Sequence, residues 1–542
     1  MRVPTTVGPP TTRRHAQPPH SRSIERRPTI SIPRGRAHAP ARPFGASVDM
    51  LFNSPLYGVF LVSTWIVFWT LRARRLARAL FLVGASYFFY FYGTWDAARD
   101  EATPLRAPAW ALLCVCILIV GTTLDFFVGR ALGRARKPAT RTALLLASVV
   151  YYLGVLAVFK YWNFAGDAFA ALFGWLGVNV RPTHLRLVLP FGISFFTFET
   201  MSYTIDVWRG EIEPAKRYLD YVLFVCFFPH LVAGPIVRPA QMLPQLARPP
   251  QADAATQARG LWRIATGLAK KILVGDFLAQ AIVKRVFDTP ERFTALEVLL
   301  ATYAYAVQIH ADFSGYSDIA IGSAALFGYE LPENFDAPYL SHDLREFWAR
   351  WHITLGTWLR DYLYKPLGGS REGPWKTYRN LMLTMILGGL WHGASYNFLL
   401  WGALHGGALA ATRMWQRSSV DHAPGGDRET GALVRALQTV ATFHFVCFAW
   451  LFFRAPTFAH AILALEQMGR GSWTMGHVAP EVPLVVGFAL LIHALPRAWE
   501  ARTREAFVRT PALVQGLVLA MAATALHLAA AERPEPFVYG QF

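Results

Sequence analysis

The sequence is short of charge, and that shortage excludes more than any motif. Only 16% of its 542 residues are Asp, Glu, Lys or Arg, against about 25% in an ordinary soluble domain. A water-soluble globular chain is therefore not expected. Cysteine is scarce as well. Cys114, Cys116, Cys226 and Cys447 all lie in apolar runs. No pair has C-x-x-C or metal-ligand spacing, which excludes a disulfide framework and a zinc ribbon and leaves small apolar packing residues. There is no H-E-x-x-H, no Gly-rich phosphate loop and no G-x-S-x-G. Those absences exclude a zincin, a P-loop hydrolase and a serine hydrolase with its own nucleophile motif. No tandem or inverted repeat is visible either, so internal symmetry offers no support for a transporter.

Long apolar runs are what the chain has instead. Candidates fall at 51–71, 77–95, 109–129, 142–160, 186–207, 219–235, 294–328, 380–404, 432–453, 482–498 and 511–531. Several reach the roughly 20 residues that a spanning helix needs. The 294–328 run is long enough to be expected as more than one helix. The reading is an all-α, polytopic membrane protein with ten or more spans, residues 50–542 forming the membrane domain. The net charge of +18 belongs to short loops beside these runs, where anionic lipid and the positive-inside rule put it. With no zinc-finger or RNA-binding motif, nucleic acid is not expected as a partner.

Residues 1–49 differ from the rest. They hold nine arginines against two acids, many prolines and few large apolar residues. Such a segment cannot bury a core and is expected to be disordered. Loop charge places Arg72 to Arg78 and Arg130 to Arg141 in the cytoplasm, and Asp96 to Arg106 outside. Met50 then falls outside, against the charge of the tail, so translation is expected to begin near Met50. Continuing the alternation puts Lys160 to Thr183 outside and Arg209 to Arg217 inside. In 219–235, Pro229, Gly234 and Pro235 disfavour a straight helix. A re-entrant segment lining a cavity is expected there.

Three stretches put polar groups at membrane depth, where an ionisable residue is a functional candidate. The segment REFWARWHITLGTWLRDYLY, from Arg345, carries His352. Trp348, His352, Leu355 and Leu359 follow helical spacing, so a continuous amphipathic helix is expected over 343–362. His392 ends the run NLMLTMILGGLWH and is bracketed by Gly388, Gly389 and Gly393. Those glycines would let a backbone or a substrate approach closely. An imidazole is the side chain best able to take and return a proton near neutral pH. For each histidine a structural reading stands beside the catalytic one: a carbonyl-bonded core residue for His352, a headgroup-level residue for His392. The third stretch is QIHADFSGYSDIAIG, from Gln308. Ser314-Gly315 is expected to break a helix between Asp312 and Asp318, and these acids are read first as structural partners. His230, His405, Lys270 and Lys271 are weaker candidates. No metal is expected, since His310, Asp312, His352 and His392 lack ligand spacing.

These residues lie in a series of ordered motifs. LPFGISFFTFETMSYTIDVWRGE begins at Leu189, FFPHLVAGPIVRP at Phe227 and QIHADFSGYSDIAIG at Gln308. NFDAPYLSHDLREFWARWHITLGTWLRDYLYKPLGGSR begins at Asn334, GGLWHGASYNFLLWG at Gly388 and WLFFRA at Trp450. Together they resemble the membrane-bound O-acyltransferase family, in its bacterial alginate O-acetylation branch. The resemblance implies a many-helix bundle around a central tunnel, with re-entrant and amphipathic helices. It implies a catalytic histidine at His392 and a second catalytic position at His352. Trp391, Trp348, Asp312, Asp318 and His310 would then support the site or line the tunnel. The family moves an acyl group from a thioester to a hydroxyl. In this branch a cytoplasmic donor, with acetyl-CoA expected and no tightly bound cofactor, supplies a secreted or cell-surface polysaccharide. The expected route is an SGNH-hydrolase-like partner bearing a serine nucleophile. The inner membrane is the implied location. D-alanyl transfer to a cell-wall polymer is the rival enzymatic reading, and a non-catalytic export component is the rival of another class.

Overall fold

At membrane depth each backbone N–H and C=O must be satisfied inside its own element, so an apolar chain of this kind is driven to helices. The computed structural model describes residues 52–99, 103–421 and 431–530, all within one compact unit, Val48–Phe542. Among them every regular element is helical. The 1–49 extension lies outside the described residues. Local chemistry sets the helix starts. Ser54 caps Pro55–Thr70 by accepting the Tyr57 N–H, with Pro55 in the first turn. Thr294 and Glu297 form a reciprocal capping box on Ala295–Leu326.

Among the described residues, five helices are long and apolar enough to cross a membrane: Arg75–Arg99, Ala107–Arg134, Pro138–Trp175, Ala432–Arg454 and Ala512–Ala529. Glu481–His493 and Arg497–Arg509, bent by 87° at their junction, make a sixth candidate. Large apolar side chains face outward, among them Phe127, Val150, Leu437 and Leu517. That arrangement suits lipid. Cys114, Cys226 and Cys447 are buried as packing residues, whereas Cys116 faces outward.

Several expected elements take a different form. Ala295–Leu326 is one helix of 32 residues, unbroken at Ser314-Gly315. Gly315 there serves close packing: a Cβ on it would lie 2.7 Å from the Gly267 carbonyl oxygen. Gly322 meets Gly260 in the same way two turns on, so two helices touch backbone to backbone. The 343–362 segment is not continuous. Leu344–Arg350 ends before Trp351, and Ile353–Leu359 begins after His352. The 380–404 run is also two helices, Pro374–His392 and Tyr396–Asp421. Lys160 does not open a loop. Pro138–Leu156 runs through a π-helical turn, Ala157–Tyr161, into Trp162–Trp175. The 219–235 run is broken, as its prolines require: Tyr218–Cys226, one turn at Phe228–Leu231, then buried non-helical backbone.

Two apolar cores result. One gathers the first helices around Phe224, Phe227 and Phe228, and it includes Leu355, Trp358 and Trp391. The other gathers 278–309 with the later helices, and it includes Trp351, Trp401 and Phe453. Both histidines of interest lie where these cores meet. His352 falls between Trp351 of the second core and Leu355 of the first; His392 lies between Trp391 of the first and Trp401 of the second.

Candidate active site

The Pro374–His392 helix ends at His392 because its last carbonyls find donors on another element. Tyr161 Oη donates to the Leu390 carbonyl at 2.9 Å. Lys160 Nζ donates to the Trp391 and His392 carbonyls at 2.6 and 3.1 Å. A cation on orphan carbonyls is the favoured way to finish a helix. The π-helical turn supplies it, because the extra residue swings Lys160 and Tyr161 onto this end. The chain then turns at Gly393 into Tyr396–Asp421. The space beside the glycines is filled by protein. A Cβ on Gly389 would meet the Phe398 carbonyl oxygen, and one on Gly393 the Phe398 ring. Close approach is therefore their use, as expected, but the group that approaches is Phe398, and substrate access must come from another side.

Aromatic rings wall the His392 imidazole. Trp391, Trp401 and Phe453 lie 5.0, 5.0 and 5.2 Å away, ring centre to ring centre. Trp391 is held in turn by stacking on Phe198 at 5.3 Å and by its indole N–H, which donates to the Ser194 carbonyl at 3.3 Å. The ring of His352 lies 6.1 Å from that of Trp391. His352, His405 and Lys160 all act electrostatically on His392.

His352 sits in a left-handed backbone conformation, φ 42° and ψ 55°. For a residue with a Cβ this costs about 1–3 kcal/mol and persists only where neighbours over-determine it. Asn334 does so. Its carbonyl accepts the Ile353 N–H at 2.9 Å, and its side-chain oxygen accepts the Thr354 hydroxyl at 2.9 Å and the Thr354 N–H at 3.3 Å. The Thr354 hydroxyl also receives the Ile236 N–H at 3.0 Å, from the buried broken segment. Two helix axes thus meet at one histidine, whose fully buried ring packs on Phe313 at 4.6 Å.

The other candidates separate from this pair. Trp348 donates to His405 Nδ1 at 3.3 Å and packs on Trp401, one ring removed from His392. His310 pairs with His493 at 4.7 Å, beyond Phe335 and Trp351 from His352. Asp312 meets Lys271 at 2.7 Å, and Lys271 also meets Asp276 at 2.7 Å. Asp318 is clamped by Arg263 at 2.9 Å and Lys270 at 2.7 Å. These acids join helices by ion pairs, the structural role expected of them first. Among the described residues no three His, Cys, Asp or Glu side chains converge as a metal site. Sequence reasoning passed over Lys160, Asn334 and Glu199, the last of them buried 3.1 Å from His230, one of the weaker candidates. Lys160 closed an apolar run as its one charge and Glu199 sat inside another, and that was the available signal.

Comparison with known proteins places these residues in context. The sequence model of the membrane-bound O-acyltransferase family, MBOAT, matches residues 153–454, a stretch that includes Lys160, His352 and His392. The probable alginate O-acetylase AlgI of Pseudomonas aeruginosa is 37% identical over 435 residues, covering 79% of this chain and 77% of its own. The peptidoglycan O-acetyltransferase of Helicobacter pylori is 32% identical over 468 residues, 80% of this chain and 82% of its own. The teichoic acid D-alanyltransferase of Bacillus subtilis is 27% identical over 289 residues, 52% of this chain and 72% of its own.

Proposed function

The chain belongs to the membrane-bound O-acyltransferase family and is a membrane acyltransferase, and from that premise we propose that it passes an acetyl group from a cytoplasmic thioester donor to O-acetylate a secreted or cell-surface polysaccharide. The acetyl reading rests on the relatives: those named for O-acetyl transfer match more of this chain, at higher identity, than the D-alanyltransferase does. Acetyl-CoA is the proposed donor, with an SGNH-hydrolase-like partner carrying the serine that hands the acetyl group to an alginate-like polymer. The inner membrane is the proposed location. Further spans beyond the six candidates are assigned to helices such as Ile193–Arg209, Ala295–Leu326 and Tyr396–Asp421, giving ten or more around a tunnel that reaches the seam between the two cores.

The observation that carries the reading is His392 at the end of a capped helix, with Trp391 packed against both it and His352. His392 is the general base. It takes the proton of the attacking hydroxyl as that oxygen forms its bond to the thioester carbonyl carbon. The carbonyl becomes an oxyanion, the C–S bond then breaks, and the imidazolium returns the proton to the departing thiolate. The Trp391 indole N–H is engaged with Ser194, so His352 is the side chain assigned to the oxyanion. Its strained turn holds it in place for that task. Burial between two apolar cores strengthens both interactions by excluding water.

The test is the ester content of the surface polysaccharide, by mass spectrometry, with and without this gene. Loss of O-acetyl esters on deletion, restored by the gene in trans, is the expected result. Unchanged ester content would overturn the reading. Loss of D-alanyl esters from a wall polymer on deletion instead would favour the rival.

A further inference from the structure

Glu199 and His230 form a buried ionisable pair with no part in the proposed chemistry. Glu199 lies on Ile193–Arg209 and His230 in the single turn Phe228–Leu231. Both are shut off from the surface, and His230 Nδ1 lies 3.1 Å from Glu199 Oε1. A carboxyl group and an imidazole are costly to bury in an apolar core. They are retained where they do something two apolar side chains could not.

The chain they hold is the broken segment. From Val232 to Val237 it is buried and non-helical, so its N–H groups need partners within the protein. The Gly234 N–H stays local, on the His230 carbonyl at 3.2 Å. The next two go to different elements. The Ile236 N–H reaches Thr354 Oγ1 at 3.0 Å, and the Val237 N–H reaches Glu199 Oε1 at 2.9 Å. A single residue, Ile236, separates the two donors. Glu199 is thereby tied to Thr354 with almost no slack. Thr354 is bound in turn to Asn334, which fixes the left-handed turn at His352.

The same Glu199 oxygen faces both His230 and Val237, so it gathers the two ends of the segment. The start of its helix presses on the segment as well. Gly192 has φ 70°, and a Cβ there would run into the Leu231 carbonyl. The other face of the helix reaches the site directly. Phe198 stacks on Trp391 at 5.3 Å, and Phe195 lies 5.4 Å from Trp391 and 6.4 Å from His352. One helix thus sets Trp391 through its rings and reaches the His352 turn through its carboxylate.

We propose that Glu199 is a positioning residue for acyl transfer, with His230 steadying its carboxylate. Through Val237, Ile236 and Thr354 it holds the turn that presents the His352 imidazole. The inference rests on the acyltransferase reading above and on the oxyanion role given there to His352. A residue with this task acts on the chemical step, where a small misplacement is expensive, and leaves donor binding alone.

Isolated membranes are supplied with radiolabelled acetyl-CoA, the proposed donor, and the label reaching polymer is followed per molecule of folded protein. Glu199→Ala is expected to lower kcat by about tenfold or more and to change KM by less than about twofold. Glu199→Gln keeps an oxygen for the Val237 N–H and is expected to recover most of that loss. Thr354→Val cuts the link at its far end. It is expected to show the same fall in kcat, and it serves if Glu199→Ala does not accumulate. His230→Phe keeps a ring but loses Nδ1, and its kcat is expected to fall less than that of Glu199→Ala; an unchanged kcat would remove His230 from the assignment. In a His352→Ala background, Glu199→Ala is expected to have little further effect, because a side chain acting through His352 has nothing left to position. An unchanged kcat per folded molecule, or the same fold loss with and without His352, would overturn the proposal and leave the pair as scaffold.

Melting in detergent reads the link without catalysis. The falls in Tm caused by Glu199→Ala and Thr354→Val are expected to be less than additive in the double variant; additive falls would sink the link. If wild-type membranes transfer no acetyl group while the melting falls are less than additive, the functional reading fails and the link to the His352 turn stands.

Discussion

Asp312 and Asp318 meet cations; His352 and His392 meet rings. Both pairs interrupt apolar sequence, and both are buried. The acids are matched by Lys271, Arg263 and Lys270 at 2.7–2.9 Å. Such pairs tie helices together, and each charge has a fixed opposite. The histidines are instead surrounded by Phe195, Phe313, Trp391, Trp401 and Phe453. Rings position an imidazole without consuming its proton chemistry. The ion-paired acids read as scaffold; the histidines, set among rings at the ends of helices, read as working groups.

The sharpest way to break this contrast is to remove one member from each side. His392→Ala should lower acyl transfer on the order of 10²–10⁴-fold, the usual effect of losing a general base, at unchanged membrane level of the protein. Initial rates in isolated membranes, normalised by immunoblot, provide the check. Asp312→Ala should act on stability instead. Breaking a buried ion pair by removing one partner costs about 3–5 kcal/mol, so the protein level and the detergent melting temperature should both fall. Activity per surviving molecule should change little. A dead but stable Asp312→Ala protein would place that acid on the chemical side of the divide.

How much of this the sequence foretold depended on whether a signal was local. His392 stood out because an apolar run ended there beside Trp391 and Gly393, and helix ends are local events. The family motifs around both histidines were legible for the same reason. The turn at His352 was not. Trp348, His352, Leu355 and Leu359 have helical spacing, and the break between them is imposed by Asn334, 18 residues earlier in the chain, through its bonds to Ile353 and Thr354. Gly315 was read as a breaker, yet it is a contact for Gly267, and a glycine in a helix announces neither role by itself. Lys160 looked like the start of a loop. Its place at the end of the His392 helix depends on a π-helical turn, which leaves no pattern in the residues.

Two smaller effects sharpen the comparison at the histidine side. Lys160→Met removes the ammonium that donates to both the Trp391 and His392 carbonyls and should cost about 1–2 kcal/mol of stability. Activity should fall by roughly tenfold as the helix end loosens. Lys160→Arg should recover part of it; melting curves and rates together would show this. At His352 the expected order of activity is Asn above Ala. Asn tolerates the left-handed conformation and keeps a donor and an acceptor. His352→Gly should relieve backbone strain of about 1 kcal/mol while losing activity, so it would melt no lower than His352→Ala. A His352→Gly protein that melts lower than His352→Ala would show that the turn is unstrained.

The most direct measurement puts the two sides in one experiment. Polysaccharide ester content is measured in strains producing His392→Ala or Asp312→Asn, each normalised to the amount of protein in the membrane. The account expects His392→Ala at normal abundance with almost no ester, and Asp312→Asn at reduced abundance with near-normal ester per molecule. Full esterification by His392→Ala at normal abundance would contradict it.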